Sequence, residues 1–241
     1  MKLSIIIPVY NEEKTIHQVL ISVASLKLPC TKEIIVVDDG STDNTRKHIT
    51  NSREQNEKLK NIKVITHKKN LGKGTAIRTG IKRATGDYIL IQDADLEYNS
   101  QEIPKLLSPV ISYSKNYNLK PKTFISVYGS RFANGRPVIP LLYYLGNRLL
   151  TILFNLFYGT NLTDMETGYK LIPTKLLKSL KFTSSGFDIE PEITALLVKQ
   201  GVFIIEVPIS YKGRSHLAGK KLTVKDAFGA IVTIIKNKFR S

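Results

Sequence analysis

Short apolar runs alternate with helix-period segments through the N-terminal half of the chain. Leu3–Val9 reads as a buried strand closed by Pro8. Asn11-Glu12-Glu13 then opens a helix, with Asn11 as its cap and two acids at its positive end. Ile16, Val19, Leu20 and Val23 give that helix one apolar face. Glu33–Val37 predicts a second strand, a helix follows from about Asp43 to Gln55, and Asn61–His67 predicts a third strand. Asn70–Gly74 is a glycine-bearing turn before a helix holding Ala76, Ile77, Ile81 and Ala84. Tyr88–Ile91 is a fourth strand, introduced by Gly86.

The second half continues the alternation. Ile103–Tyr113 reads as a surface helix, Lys115–Lys122 as a polar loop and Thr123–Gly129 as a strand. Ile139–Tyr158 is the most apolar segment, interrupted by Asn147, Arg148 and Asn155. An arginine at mid-span costs roughly 2.5–3.5 kcal/mol on insertion scales. The segment therefore reads as a helix pair or bent helix, packed on the sheet or lying against a bilayer. Tyr169–Ile172 and Val202–Val207 are strands, Ile209–Tyr211 extends the latter, and Phe187–Gln200 is a helix between them. Strand–helix–strand units imply a mostly parallel sheet with right-handed crossovers, an α/β fold. No repeat or interdomain linker is visible. Residues 1–215 form one unit, and residues 216–241 add a basic loop and an amphipathic helix to it.

That architecture gives the acidic residues meaning. Pro8–Glu12, Val37–Asp39 and Asp93–Glu97 all fall at carboxyl ends of strands, where open parallel sheets bind ligands. Asp93, Asp95 and Glu97 stand within five residues. Clustered carboxylates repel unless a cation sits between them, and all-oxygen ligands favour Mg²⁺ or Mn²⁺. A solvated acidic loop is the other reading of these three residues alone. Lys73 lies in a turn that is not a Walker loop and suits either a phosphate contact or solvent. Arg131 follows a strand on the same edge and suits a phosphate or a surface ion pair.

The formal charge of +16 and pI of about 9.8 call for an anionic partner. No nucleic-acid module or stacking aromatic pattern accompanies the basic residues, so nucleic acid is not expected. Val224, Ala227, Phe228, Ile231, Ile234 and Ile235 recur at helical spacing beside Lys225, Lys236, Lys238 and Arg240. This basic amphipathic helix suits a membrane surface or a terminal helix docked on its own domain. The single cysteine, Cys30, fits a reducing compartment, and the start reads as a strand rather than a signal peptide. A cytoplasmic protein, peripheral on the cytoplasmic face of a membrane, is the expectation.

Ser4–Glu13, Val36–Asp43, Asn70–Gly74 and Gly86–Glu97 together resemble family 2 glycosyltransferases of the GT-A (Rossmann-like) fold. Gly129–Arg131, Thr163–Lys170, Val207–Arg214 and Gly219-Lys220 look like the dolichyl (polyprenyl) phosphate mannose and glucose synthase branch. The resemblance implies a nucleotide-sugar donor such as GDP-mannose or UDP-glucose, a polyprenyl or dolichyl phosphate acceptor, and Mg²⁺ or Mn²⁺. It places Pro8, Tyr10, Glu12, Val37 and Asp39 around the base and ribose. Asp93 and Ala94 would touch nucleotide or sugar. Asp95 and Glu97 would hold the metal; relatives often carry Gln where Glu97 stands. Arg131 would meet the acceptor phosphate, and Arg214 with Lys220 the donor diphosphate. An acceptor phosphate is already an anion and needs no strong base. A sugar-hydroxyl acceptor would need one, and Asp164 and Glu166 are the candidates. A basic binding module is the non-enzymatic alternative, opposed by the acidic strand ends.

Overall fold

The computed structural model describes residues 1–116, 125–214 and 224–240. Seven strands form one sheet: β1 (Lys2–Val9), β2 (Thr31–Asp38), β3 (Lys63–Thr66), β4 (Tyr88–Ile91), β5 (Ile125–Ser130), β6 (Lys170–Pro173) and β7 (Phe203–Pro208). Their order is β3-β2-β1-β4-β6-β5-β7. All neighbouring pairs run parallel except those of β6, which is antiparallel to β4 and β5. The expected mostly parallel α/β sheet is therefore present.

Helices cover both faces. On one, α1 (Ile16–Ser25), α2 (Thr45–Gln55) and α4 (Ile103–Asn116) accompany a core containing Ile5, Ile7, Val36, Leu90 and Val127. On the other, α3 (Lys73–Arg83), α6 (Thr174–Ser179) and α7 (Ile189–Lys199) accompany Ile6, Ile35, Val37, Ile89 and Ile91. Successive residues of β1 thus enter opposite cores, as the period of a strand requires. A Cβ on Gly80 would stand 2.4 Å from Ile6 Cγ2, so glycine lets α3 approach β1. A third cluster joins α5 (Leu141–Tyr158) to α8 (Val224–Phe239) through Leu150, Phe154, Ala230 and Ile234.

Two expectations change. Asn11 does not cap α1: its φ is 48°, its side chain accepts the Thr42 N–H at 2.8 Å, and the helix starts at Ile16. The Glu12 carbonyl meets the first helical N–H instead, at 3.0 Å. The apolar segment is one helix, α5, closed by Gly159 at φ 66°. Its polar interruptions are anchors. Asn155 bonds the backbone of Leu162, Arg148 the carbonyl of Thr163, and Asn147 the Arg131 guanidinium. They tie the helix to the turn before β6 and to the end of β5. Among the described residues no helix is long and apolar enough to cross a membrane.

Candidate active site

Strand order reverses around β1, because β2 and β3 lie to one side of it and β4 to the other. The crevice between the carboxyl ends of β1 and β4 is the topological switch point, where such sheets take their ligands. Thr15 spans it: its hydroxyl meets the Glu12 carboxylate at 2.9 Å and the Ala94 carbonyl at 2.7 Å. A cavity of about 460 Å³ opens there, a size suited to a small ligand. Pro8, Tyr10, Glu12, Asp39, Asp93, Ala94, Asp95, Glu97, Arg131 and Arg214 all line it. Val37 is the exception: its side chain is fully buried with Ala76 and Ile77 in the core beneath. Lys220 lies outside the described residues.

Asp39 organises one wall. Its carboxylate accepts from the Leu71 and Gly72 N–H groups, at 2.7 Å for Gly72, and bonds His67 Nδ1 at 2.6 Å. Gly72 has φ 94°, and a Cβ there would lie 2.3 Å from the Ser185 carbonyl oxygen. Only glycine fits this turn, which delivers Lys73 at the start of α3. The Lys73 ammonium is ion-paired rather than free, with 14% of its side chain exposed. It sits 2.7 Å from Asp93 and 3.2 Å from Glu190, with the Phe187 ring beside it. Burial disfavours its charge, but the two carboxylates hold its pKa above the ordinary lysine range.

The metal-ligand candidates form the opposite group. Leu96 adopts φ 63°, a conformation costing roughly 1–2 kcal/mol for such a residue. This sharp turn is stabilised from outside. Glu97 accepts a hydrogen bond from the Tyr211 hydroxyl and another from the Arg214 N–H at 2.6 Å. Asp95 is pushed up to about 7, first by burial, then by repulsion from Asp93 and Glu97. The Arg214 guanidinium inserts here, bonding both Glu12 oxygens at 3.0 Å and lying 3.5 Å from Asp95.

Arg131 is not in a surface ion pair. Asp164 receives its Nε–H and Nη2–H, each at 2.7 Å, and its backbone N–H at 2.9 Å. Asp164, fully buried, is thereby committed and cannot serve as a free base. Glu166 differs: Oε1 is buried without a hydrogen-bond partner, and burial pushes the group up to about 7. Glu190 and Lys170 form a buried pair at 2.6 Å behind this wall. Glu190 belongs to none of the motifs, Lys170 closes Thr163–Lys170 without a site role assigned to it, and Asp226 of α8 also reaches the lining. A lysine within the apolar run Lys170–Pro173 was the available signal, since it requires a buried acid.

The profile described as glycosyl transferase family 2 matches residues 4–179. The chain belongs to glycosyl transferase family 2. Over 233 residues it is 28% identical to the dolichol-phosphate mannosyltransferase of Pyrococcus furiosus, covering 92% of this chain and 61% of that protein. It is 30% identical over 226 residues to the dolichyl-phosphate beta-glucosyltransferase of Saccharomyces cerevisiae, covering 87% of this chain and 66% of that one. The UDP-N-acetylglucosamine–dolichyl-phosphate N-acetylglucosaminyltransferase of Methanococcus voltae is 32% identical over 221 residues, with 85% and 83% covered. Glucosyl-3-phosphoglycerate synthase from Mycobacterium tuberculosis, in complex with Mn²⁺, UDP and phosphoglyceric acid, superposes with a TM-score of 0.74 at 19% identity. It covers 100% of this chain and 79% of its own, and the likeness establishes the GT-A fold.

A divalent metal fits this glycosyltransferase's donor set on one condition. Among the described residues no three His, Cys, Asp or Glu side chains surround a single point as a closed metal cage. Mg²⁺ sites in phosphate-handling enzymes need none, because one or two carboxylates act together with substrate phosphates. The Arg214 guanidinium already acts as a stand-in cation between Asp95 and Glu12. Asp95 and Glu97 therefore suit a metal completed by a diphosphate.

Proposed function

We propose that this glycosyltransferase moves a hexose, mannose or glucose, from a GDP- or UDP-sugar to dolichyl or polyprenyl phosphate, with inversion at the anomeric carbon. The observation that carries this reading is the gathering of clustered carboxylates and two arginines in one cavity. Asp95, Glu97 and Arg214 line it, and so does Arg131, which Asp164 holds at 2.7 Å. When bound, Mg²⁺ or Mn²⁺ offsets the charge of the departing nucleoside diphosphate, and Asp95 with Glu97 would hold it. Pro8, Tyr10 and Asp39 cradle the base and ribose. Arg214 binds diphosphate oxygens, and Arg131, fixed by Asp164, faces the acceptor phosphate. Positioning then replaces strong base catalysis, because the acceptor oxygen is already anionic.

The acceptor's lipid calls for a docking face, and two packed helices offer one. Leu142, Leu145, Leu149, Ile152 and Leu156 form an exposed stripe on α5, and Phe228, Val232, Ile235 and Phe239 form another on α8. Exposed Lys225, Lys236 and Lys238 flank the second stripe. We assign this surface to an anionic bilayer and place the protein peripherally on it. We also read α8 as part of the catalytic unit, because Asp226 lines the cavity.

One observation favours a second acceptor. Glu166, with a raised pKa and an unpartnered oxygen, suits a base for a sugar hydroxyl. Incubation of labelled GDP-mannose and UDP-glucose with dolichyl-phosphate vesicles and Mn²⁺, followed by lipid extraction, separates the two. Label in the lipid supports the first reading. Label only in soluble saccharide, when sugar acceptors are supplied, supports the second.

A further inference from the structure

Arg214 lies among three carboxylates. Nη1 and Nη2 each bond one oxygen of Glu12 at 3.0 Å, Nη2 stands 3.5 Å from Asp95 Oδ2, and Nε stands 3.8 Å from Glu97 Oε1. The match is incomplete, since Nε is buried with no hydrogen-bond partner. Asp95 and Glu97 are also the residues suited to a divalent cation. A guanidinium and a divalent ion cannot share them, because like charges a few ångströms apart repel strongly in a partly dry site. The planar guanidinium has one other partner of equal geometry in the reading above, the oxygens of a diphosphate.

We propose that Arg214 and the divalent metal are alternative occupants of one acidic seat, and that Glu12 retains Arg214 there until a donor diphosphate draws it away. Glu12 thus acts as a positioning residue for the cation seat, beyond its place in the nucleotide pocket. The inference rests on the reading of this cavity as a metal–diphosphate site. Its consequence is a binding order. Free metal binds poorly to the nucleotide-free protein, and nucleotide and metal promote each other's binding through Arg214. By linkage the promotion is equal in both directions.

The test is a titration of the full chain with Mn²⁺, reading free Mn²⁺ by electron paramagnetic resonance, without nucleotide and with UDP or GDP. Arg214→Gln is expected to raise nucleotide-free Mn²⁺ affinity on the order of ten-fold and to shrink the gain that nucleotide brings. Glu12→Gln is expected to shift nucleotide-free affinity upward too, by releasing Arg214. Unfolding transitions like the wild type's establish that both variants are folded. Unchanged or weaker nucleotide-free affinity in Arg214→Gln overturns the proposal, and a fall in Glu12→Gln overturns the part given to Glu12. Failure of the wild type to bind Mn²⁺ with either nucleotide would instead sink the functional reading beneath it.

Discussion

The Lys73 ammonium bridges α3 to the end of β4 through a 2.7 Å contact with Asp93. It is mostly buried, and Glu190 faces it from α7 at 3.2 Å. One cation thus neutralises acids from two elements at the cavity wall. Removing one partner of a buried pair costs about 3–5 kcal/mol, largely because the other charge stays behind. Lys73→Met should therefore lower unfolding free energy by a part of that amount, as read by urea denaturation, because Lys73 and Asp93 stay 14% and 18% exposed and Glu190 keeps Lys170. Adding Asp93→Asn should recover part of the loss without restoring sugar transfer, because Asp93 lines the cavity. Additive losses in the double variant would show that the two side chains are not coupled.

Glu166 sets a pH dependence. Its folded pKa of about 7 exceeds the ordinary glutamate value because burial penalises the charged form. The folded state thus binds a proton that the unfolded state releases. This group makes stability fall as pH rises from about 4.5 toward 7, and above 7 the penalty stays complete. Glu166→Gln removes it. The melting temperature of the variant should exceed that of the wild type at pH 8, with the difference fading at pH 4.5. An equal difference at both pH values would exclude Glu166 as its source.

Local signals made the acidic side of the cavity legible in sequence. Acids at the ends of β1, β2 and β4 are fixed by strand periodicity and the turns that follow, so Glu12, Asp39 and Asp95 could be placed on one edge. The other wall depends on tertiary packing. Glu190 reads in sequence as an acid suited to a helix N-terminus, and only the folded chain brings it to Lys73 and Lys170. Asp164 and Arg131 stand 33 positions apart, so their pairing had no local signature. The interruptions in α5 indicated that it was no ordinary membrane span. Their actual task, bonding the turn before β6, required the fold.

Asp95 should separate folding from ligand binding. Burial and its acidic neighbours disfavour its charge, which offsets what it contributes by accepting the Glu97 N–H at 3.0 Å. Asp95→Ala is expected to unfold at or slightly above the wild-type temperature. Loss of a carboxylate at the metal should cost metal-dependent donor affinity at least ten-fold. Calorimetry with UDP and GDP sugars in Mn²⁺ measures this, and unchanged affinity would remove Asp95 from the metal assignment.

The apolar stripes on α5 and α8 predict bilayer binding that can be broken without damage to the fold. Leu145 and Leu149 are 53% and 63% exposed, so their side chains contribute little to the core. Substitution at such positions usually changes stability by no more than about 0.5 kcal/mol. Glutamate at both places two charges where acyl chains would lie, and repels anionic headgroups besides. Leu145→Glu/Leu149→Glu should therefore cease to float with phosphatidylglycerol vesicles while keeping the wild-type unfolding curve. Transfer to a short-chain, water-soluble polyprenyl phosphate should survive, because neither residue lines the cavity. Flotation should also weaken with added salt, through Lys225, Lys236 and Lys238. If the double variant floats as the wild type does, this face is not the one that meets the bilayer.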